Sequence, residues 1–175
     1  MTQGATEIHV EFRLLQQADI PLIVGAFEAL GWDKPPSLYQ QYLAEQERHQ
    51  RFVWVAFKEE DFVGYITLKW QSEYAPFHKK GIPEIVDLNV LPKFRKQGIG
   101  SKLLDLAEAA AQKKSKLVGI GVGLYADYGD AQRLYIKRGY MPDGLGITYN
   151  YQPIEPGSMV CLDDDLVLWF RKELS

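Results

Sequence analysis

The sequence predicts a mixed α/β domain in which helices interleave with the strands of one sheet. Three observations predict this fold class: strand-like and helix-like segments alternate, glycine and proline mark the breaks between them, and no linker-like stretch divides the 175 residues. We expect about four helices on both faces of a sheet of roughly six or seven strands. Because the length is that of one domain, residues 1–175 are interpreted as a single domain.

The first half of the chain contains segments typical of three strands and two helices. Asp19 is a candidate cap of the first helix, and Gly31 is expected to end it. The expected order is a strand over 8–15, a helix over 19–30, a helix over 37–50, and a hairpin of strands over 52–57 and 62–70. A long loop over 71–83 follows, and loops of this length are often functional.

The second half alternates strands with helices. Apolar residues recur at spacings of three and four in the longest helix, and Gly139 is suited to end the shorter one. The expected elements are a buried strand over 85–91, a helix over 98–114, a strand over 117–125, a helix over 129–138, and strands over 149–154 and 166–171. The tripeptide Pro142-Asp143-Gly144 is interpreted as a turn.

Three glycines alternate in the strand over 117–125. Gly119, Gly121 and Gly123 are two residues apart, so they lie on one face of that strand. Glycine in a strand often marks the close approach of a ligand or of another part of the chain. The preferred interpretation is tight packing of the alanine-rich helix over 98–114.

The composition excludes several classes of protein. A net charge of -3 gives no general attraction to phosphate backbones, so we expect no nucleic-acid partner. Cys161 is the single cysteine and no Cys/His spacing resembles a zinc motif, so we expect neither an internal disulfide nor a metal. No apolar run reaches the length of a membrane span, and residues 1–9 lack an apolar signal core. We therefore expect a cytoplasmic protein without a membrane partner.

The most informative stretch joins the strand over 85–91 to the helix over 98–114. It reads Arg95-Lys96-Gln97-Gly98-Ile99-Gly100-Ser101. A helix start offers unpaired N–H groups and the positive end of the helix dipole, and glycines let a phosphate approach the backbone. Arg95 and Lys96 add positive charge. These features predict a pyrophosphate-binding turn.

Two common phosphate-binding motifs do not match this turn. A dinucleotide-binding fingerprint needs a third glycine where the chain has Leu103. A P-loop ends in Gly-Lys-Ser or Gly-Lys-Thr, whereas this chain has Gly100-Ser101-Lys102. The turn therefore belongs to another class of phosphate-binding motif.

The spacing Arg95-x-x-Gly98-x-Gly100 resembles the signature of the acetyl-CoA-dependent N-acetyltransferase (GNAT) superfamily. Leu88-x-Val90-x-Pro92 before it and Leu103-Leu104 after it strengthen the resemblance. A second block of family motifs follows the strand over 118–124 at the expected distances. It consists of Tyr128-Gly129-Asp130-Ala131, Leu134-Tyr135 and Gly139-Tyr140. Tyr128 departs from the family pattern because it occupies a position where the family usually has asparagine.

The resemblance implies a mostly antiparallel sheet in which the strand over 85–91 separates from the strand over 118–124. It implies acetyl-CoA as co-substrate, with the pyrophosphate on residues 95–101. The backbone of Leu88-Asn89-Val90 would contact the pantetheine arm, and an N–H near Val90 would polarise the thioester carbonyl. Tyr128 would take over the pantetheine contact of the usual asparagine.

The resemblance also implies the reaction, in which a primary amine attacks acetyl-CoA directly in a ternary complex. Tyr135 matches the family tyrosine near the CoA sulfur, where it could protonate the leaving thiolate. Glu84 lies eleven residues before Arg95, the offset of the glutamate base in histone-acetylating members.

Asp87 is the competing candidate for the general base. It lies in an apolar strand, where an unpaired carboxylate is costly, so it should be paired or functional. Strand alternation places Glu84 and Asp87 on opposite faces unless a bulge intervenes. A water relay is a third option for the base.

The acceptor is expected among aromatic side chains of the first two helices, the long loop and the last strands, since aromatic rings with carboxylates suit a cationic amine. These are Trp32, Tyr39, Tyr42, Trp70, Tyr74, Phe77, Tyr149 and Tyr151. The acidic run over 163–165 is interpreted as a solvated turn. The alternative function is a non-catalytic acyl-CoA-binding sensor. A longer acyl donor and a homodimer are left open.

Overall fold

The computed structural model describes residues 9–175, which form five α-helices and eight strands. Ile8, where the first strand was expected to begin, lies outside the described residues. The helices are α1 (Ile20–Glu28), α2 (Pro36–Glu47), α3 (Ala75–Lys80), α4 (Ile99–Gln112) and α5 (Gly129–Lys137). The strands are β1 (Val10–Leu14), β2 (Arg51–Lys58), β3 (Asp61–Lys69), β4 (Glu84–Val90), β5 (Leu117–Gly123), β6 (Met141–Tyr149), β7 (Gln152–Pro153) and β8 (Leu166–Glu173).

The strands form one sheet in the order β1-β2-β3-β4-β5-β8-β6-β7. The pairs β1/β2, β5/β8, β6/β8 and β6/β7 are antiparallel, and β4/β5 is parallel. The predicted fold class, a mixed and mostly antiparallel sheet with helices, is therefore confirmed. The expected numbers were too low, since the described residues contain eight strands and five helices.

The additional helix is α3, which lies within the segment expected to be an irregular loop over 71–83. Pro76 lies in its first turn, and Gly81 ends it in the left-handed conformation at φ 63°. Proline at a helix start and glycine after a helix end are sequence signals of a helix. They were missed because the helix has six residues, too few to show an apolar period.

Strand β6 contains the tripeptide that was interpreted as a turn, so that interpretation is wrong. Its pairing with β8 is irregular between Pro142 and Ile147. Gly144 and Gly146 adopt φ values of 84° and 82°, which only glycine adopts easily. The turn-forming residues therefore produce a bulged strand rather than its end.

The described chain divides into two compact units, each built from two segments. The first unit contains the residues up to Thr67 together with Asp87–Leu106, and the second contains Leu68–Val86 together with Ala107–Ser175. The interpretation of residues 1–175 as one domain stays a prediction.

The core of the first unit is rich in aromatic rings contributed by α1, α2 and β3. Phe27 is fully buried, stacks on Trp32 with ring centroids 5.7 Å apart, and meets the edge of Tyr65 at 6.1 Å. Asp19, expected to cap α1 with its side chain, instead forms two hydrogen bonds of 2.7 Å with the guanidinium of Arg13. This pair connects the start of α1 to β1.

The core of the second unit is a stack of aromatic rings against β5. Tyr74 and Trp169 lie parallel with centroids 4.2 Å apart. A Cβ atom on Gly119 would lie 2.0 Å from the ring of Phe77, and one on Gly123 would lie 2.4 Å from the ring of Tyr128. The glycines therefore make room for aromatic rings, and the interpretation that they accommodate the alanine-rich helix is wrong.

Glu108 of α4 is the acceptor in a second-unit cluster of charged and polar groups. Its carboxylate accepts hydrogen bonds from Arg138 Nη2 at 3.0 Å, Tyr140 Oη at 2.9 Å and Lys172 Nζ at 2.7 Å. The Glu108 carboxylate therefore links α4 to Arg138 and Tyr140, which follow α5, and to Lys172 of β8.

Candidate functional site

The predicted phosphate turn lies in the first unit between β4 and α4. Two residues of the turn adopt the left-handed conformation, Lys96 at φ 60° and Gly98 at φ 81°. Alternation of left-handed and ordinary residues directs successive backbone N–H groups toward one side, which creates a concave anion-binding surface. The side chains of Phe94 and Ile99 are buried and anchor the turn, whereas Arg95 and Lys96 are exposed.

Helix α4 begins where this turn ends. The amide of Lys102 donates to the carbonyl of Gly98 at 3.0 Å. The N–H groups of a first helical turn, here those of Ile99 and Gly100, have no intrahelical acceptor and lie at the positive end of the dipole. A Cβ on Gly98 would meet nothing within 4 Å, so the backbone is open there. These residues fit a pyrophosphate group.

Arg95 is fixed at the base of the turn by its backbone contact with β4. Its Nε atom donates to the carbonyl oxygen of Val90 at 3.0 Å. This bond uses one of the five N–H donors of the guanidinium group. Arg95 therefore connects the phosphate turn to the strand that was expected to contact the pantetheine arm.

Strand β4 is irregular at Asp87, which adopts φ 63° in the left-handed region. The simple alternation that separated Glu84 and Asp87 by face therefore does not hold through this point. The parallel ladder between β4 and β5 is short and joins Glu84 to Gly119 and Ile85 to Ile120. Such a short ladder agrees with the expected separation of the two strands.

The side chain of Asp87 is the centre of a hydrogen-bond cluster in the first unit. Its Oδ1 atom accepts from Lys34 Nζ at 3.1 Å and from Asn89 Nδ2 at 2.8 Å. Its Oδ2 atom accepts from Tyr42 Oη at 3.0 Å and from Tyr65 Oη. An ionised carboxylate has about four acceptor positions, and here all of them are used.

The two tyrosines of this cluster, Tyr42 and Tyr65, keep their protons and act as hydrogen-bond donors. Burial, and then the negative charge of Asp87, raise the pKa of both Tyr42 and Tyr65 well above the ordinary value near 10. A substrate proton could reach Asp87 only if one of its donors left. This saturation disfavours Asp87 as the general base.

Glu84 lies in the second unit and is buried. Its Oε2 atom accepts a hydrogen bond of 2.5 Å from Ser72 Oγ, which in turn accepts from the amide of Tyr74 at 3.0 Å. His78 Nδ1 lies 3.2 Å from the carbonyl oxygen of Ser72. The segment leading into α3 therefore positions the carboxylate of Glu84.

Tyr135 is buried in α5, and burial raises the pKa of its hydroxyl above the ordinary value near 10. Its ring packs beside that of Tyr140 with centroids 5.8 Å apart. Within residues 9–175 its hydroxyl forms no side-chain hydrogen bond. Tyr135 therefore keeps a proton that it can donate to a bound molecule.

Tyr128 is held in place by its own unit. Its hydroxyl donates to Asp164 Oδ1 at 2.8 Å, and Tyr125 donates to the same oxygen. The acidic run over 163–165 does form a turn, but its carboxylates are not simply solvated, since Asp163 also accepts from Tyr149 at 2.9 Å. A pantetheine contact by Tyr128 would therefore compete with Asp164.

Some of the residues predicted for the site contact one another, and they also contact residues that the sequence did not indicate. In the first unit, Asp87 and Asn89 are joined as described, while Lys34 and Tyr65 were not predicted. In the second unit, Ser72 was not predicted. None of the three lies in a recognisable motif, so the only signal was the polar character of Lys34 beside aromatic residues.

Two features of residues 9–175 bear on the remaining expectations. None of the helices described is long and apolar enough to cross a membrane. No group of three or more His, Cys, Asp or Glu side chains among these residues could hold a metal ion.

The family model described as the acetyltransferase (GNAT) family matches residues 21–140, which include the phosphate turn, Glu84, Asp87 and Tyr135. The chain belongs to the GNAT family. The family is described as one of acetyltransferases, and the resemblance to it that the sequence motifs indicated is therefore confirmed.

One curated relative is the aminoalkylphosphonate N-acetyltransferase of Salmonella typhimurium strain LT2. It is 37% identical to this chain over 95 residues, which cover 54% of this chain and 59% of that protein. The match therefore spans less than two thirds of the relative's length.

Solved structures of similar fold share little sequence with this chain. The N-acetyltransferase from Staphylococcus aureus Mu50 has a TM-score of 0.70 at 16% identity, covering 95% of this chain and 99% of that one. Arabidopsis thaliana NAA60 in complex with acetyl-CoA has a TM-score of 0.69 at 16% identity, covering 95% of this chain and 99% of that one. The PaiA N-acetyltransferase from Thermoplasma acidophilum in complex with coenzyme A has a TM-score of 0.63 at 14% identity, covering 94% of this chain and 99% of that one. These likenesses show the fold.

Proposed function

We propose that this enzyme transfers the acetyl group of acetyl-CoA to a primary amine of a small molecule by direct attack in a ternary complex. The observation that carries the proposal is the backbone of the phosphate turn, with left-handed Lys96 and Gly98 directly before the N-terminus of α4. The relative that acetylates aminoalkylphosphonates supports a small primary amine as acceptor.

The donor is assigned to the first unit. Residues 95–101 would hold the pyrophosphate through backbone N–H groups and the exposed side chains of Arg95 and Lys96. The backbone of Leu88-Asn89-Val90 would contact the pantetheine arm. The N–H of Val90 would donate to the thioester carbonyl, where negative charge develops as the amine attacks.

Glu84 is proposed as the general base. Asp87 has all its acceptor positions filled, so it is the weaker candidate. Glu84 is buried and oriented by Ser72, as expected for a base of defined geometry. It would take the proton that the acceptor ammonium must lose before nitrogen can attack.

Tyr135 is proposed as the proton donor to the leaving thiolate. In the balanced reaction, a nitrogen–carbon bond forms, the carbon–sulfur bond breaks, and sulfur takes the phenolic proton. The attacking nitrogen loses its second proton to solvent, solvent returns a proton to Tyr135, and Glu84 releases the proton that it took from the ammonium, so the net products are the amide, the CoA thiol and one proton. A raised phenol pKa keeps the donor protonated until the thiolate forms.

The decisive experiment measures release of free CoA thiol from acetyl-CoA with a panel of small primary amines. We expect amine-dependent release, with Glu84→Gln shifting the rate to more alkaline pH because a larger neutral fraction of amine is then needed. The alternative, an acyl-CoA sensor, predicts acetyl-CoA binding with no release above background for any amine. A parallel assay with succinyl-CoA tests the length of the acyl group.

A further inference from the structure

Lys34 carries an ammonium group into the aromatic cluster of the first unit. Its Nζ atom lies 3.1 Å from Asp87 Oδ1, donates to Tyr65 Oη at 3.5 Å, and lies 5.8 Å from the centroid of the Phe27 ring. A carboxylate, a phenolic oxygen and an aromatic face are the groups that bind an alkylammonium ion. The protein therefore contains an ammonium site, with its own lysine as the occupant.

Of the four donors to Asp87, Lys34 is the one that can leave. Tyr42, Tyr65 and Asn89 belong to α2, β3 and β4, whereas Lys34 lies in the segment between α1 and α2 and has a flexible stem. The side chains of Lys34 and Asp87 are 23% and 18% exposed, so water reaches the ion pair. Exchange of one alkylammonium for another would preserve the same contacts and cost little.

We propose that Asp87, Tyr65 and Phe27 form an ammonium subsite for the acceptor, and that a cationic group of the acceptor displaces Lys34 from it. This inference rests on the proposed transfer to an amine. It assigns Asp87 to recognition of charge, in agreement with the filled acceptor positions that disfavour it as a base.

The chemistry of the subsite defines the class of acceptor. Tyr42, Tyr65 and Asn89 would still donate to Asp87, so an ammonium group that replaces Lys34 fills its last acceptor position and keeps its proton. A charged amine cannot attack a thioester. The subsite therefore holds a second, non-reacting cation, and the acceptor is of the diamine class. An anionic group such as a phosphonate would reach Lys34 only by approaching the carboxylate of Asp87, and the repulsion between them disfavours it.

Calorimetry with 1,4-diaminobutane in the absence of acetyl-CoA tests the subsite directly. Lys34→Met removes the internal competitor but keeps an unbranched apolar stem, so we expect binding roughly three- to tenfold tighter than in the wild type. Adding Asp87→Asn to this variant should abolish the gain. The matched control is Lys69→Met, which removes a lysine paired with Glu73 in the second unit and should leave the affinity unchanged.

Several outcomes would overturn the proposal. Equal or weaker diamine binding by Lys34→Met would make Lys34 a structural lysine. Retained affinity after Asp87→Asn would place the diamine elsewhere, and if that variant does not fold, Tyr65→Phe replaces it with the same expected loss. Weaker binding of 2-aminoethylphosphonate by Lys34→Met, with unchanged diamine binding, would make Lys34 an anion ligand.

The binding measurement is independent of catalysis. Absence of thiol release with every amine would contradict the proposed function while leaving the diamine affinities interpretable. Conversely, turnover of monoamines with no effect of Lys34→Met would retain acetyl transfer and remove the subsite.

Discussion

A Cβ atom on Gly64 would lie 2.6 Å from the carbonyl oxygen of Asn89 and 3.2 Å from the Cα of Val90. Strands β3 and β4 therefore touch through backbone atoms at the point where β4 is expected to meet the pantetheine arm. Glycine is required there because backbone atoms cannot rotate away as a side chain would.

Gly64→Ala should therefore displace β4. We expect a loss of about 1–3 kcal/mol in the free energy of unfolding, since the extra methyl overpacks the contact. The KM for acetyl-CoA should rise as well, because Asn89 and Val90 move. Urea unfolding and initial rates measure both effects. Gly25→Ala is the control, since a Cβ there meets nothing and alanine in α1 should add about 0.5–1 kcal/mol.

Gly98→Ala tests the phosphate turn. The left-handed φ of 81° should make alanine cost roughly 1–2 kcal/mol of stability. Acetyl-CoA affinity should fall on the order of tenfold, equal to about 1.4 kcal/mol, as the backbone leaves its anion-binding geometry. Gly157→Ala, at φ 88° in the second unit, should lose similar stability but no affinity. Unchanged acetyl-CoA binding by folded Gly98→Ala would rule out this position for the pyrophosphate.

Tyr135→Phe should lower kcat by about a hundredfold, the smaller end of the range for general-acid catalysis. Because burial raises the pKa of Tyr135, its hydroxyl holds its proton in a neutral assay, and the loss should appear in kcat and kcat/KM together. Its hydroxyl lacks a side-chain partner within residues 9–175, so the Tm should change little.

Tyr140→Phe is the matched control for Tyr135→Phe, because it should lower stability and leave turnover unchanged. Its hydroxyl donates to Glu108 at 2.9 Å, and its removal should cost about 1.5–3 kcal/mol of stability, the value for a hydrogen bond to a charged group. Turnover should be retained. A Tyr135→Phe variant with normal turnover would remove this residue from the mechanism and leave acetyl transfer in place, since a thiolate can leave unassisted.

Gly119→Ala tests the aromatic stack of the second unit. The new methyl would lie 2.0 Å from the ring of Phe77, so we expect a loss of about 1–3 kcal/mol. In the double variant with Phe77→Leu, the loss should be smaller than the sum by about 0.5–3 kcal/mol, because the residues are in contact. Additive losses in chemical denaturation would argue against this contact. Gly129→Ala, where a Cβ meets nothing, is the control.

The parts of the molecule that were predictable from the sequence are those that depend on local signals. Helix α4 and the turn before it follow from an apolar period and two glycines within a short stretch. These signals also carried the family resemblance. The pairing of residues within the candidate site was not predictable, because Lys34 is 53 residues from Asp87 and Tyr65 is 22 residues from it.

Strand β6 and helix α3 were missed for opposite reasons. Glycines with positive φ usually indicate a chain reversal. In β6 they instead form a bulge within a strand that stays paired with β8. In α3, the proline and glycine signals were present, but the helix is too short for periodicity. Composition alone cannot separate a bulge from a turn, because the deciding factor is the partner strand, β8.

Glu108 and its three donors, Arg138, Tyr140 and Lys172, constrain how this sequence can change over evolution. A substitution of Glu108 alone would leave Arg138 and Lys172 without their shared anion and Tyr140 without its acceptor. Neutral drift at any one position therefore depends on the residues at the other three. We expect these positions to co-vary as a set in homologous sequences, and chimeras that exchange α4 alone between relatives to be unstable unless the other three residues are exchanged with it.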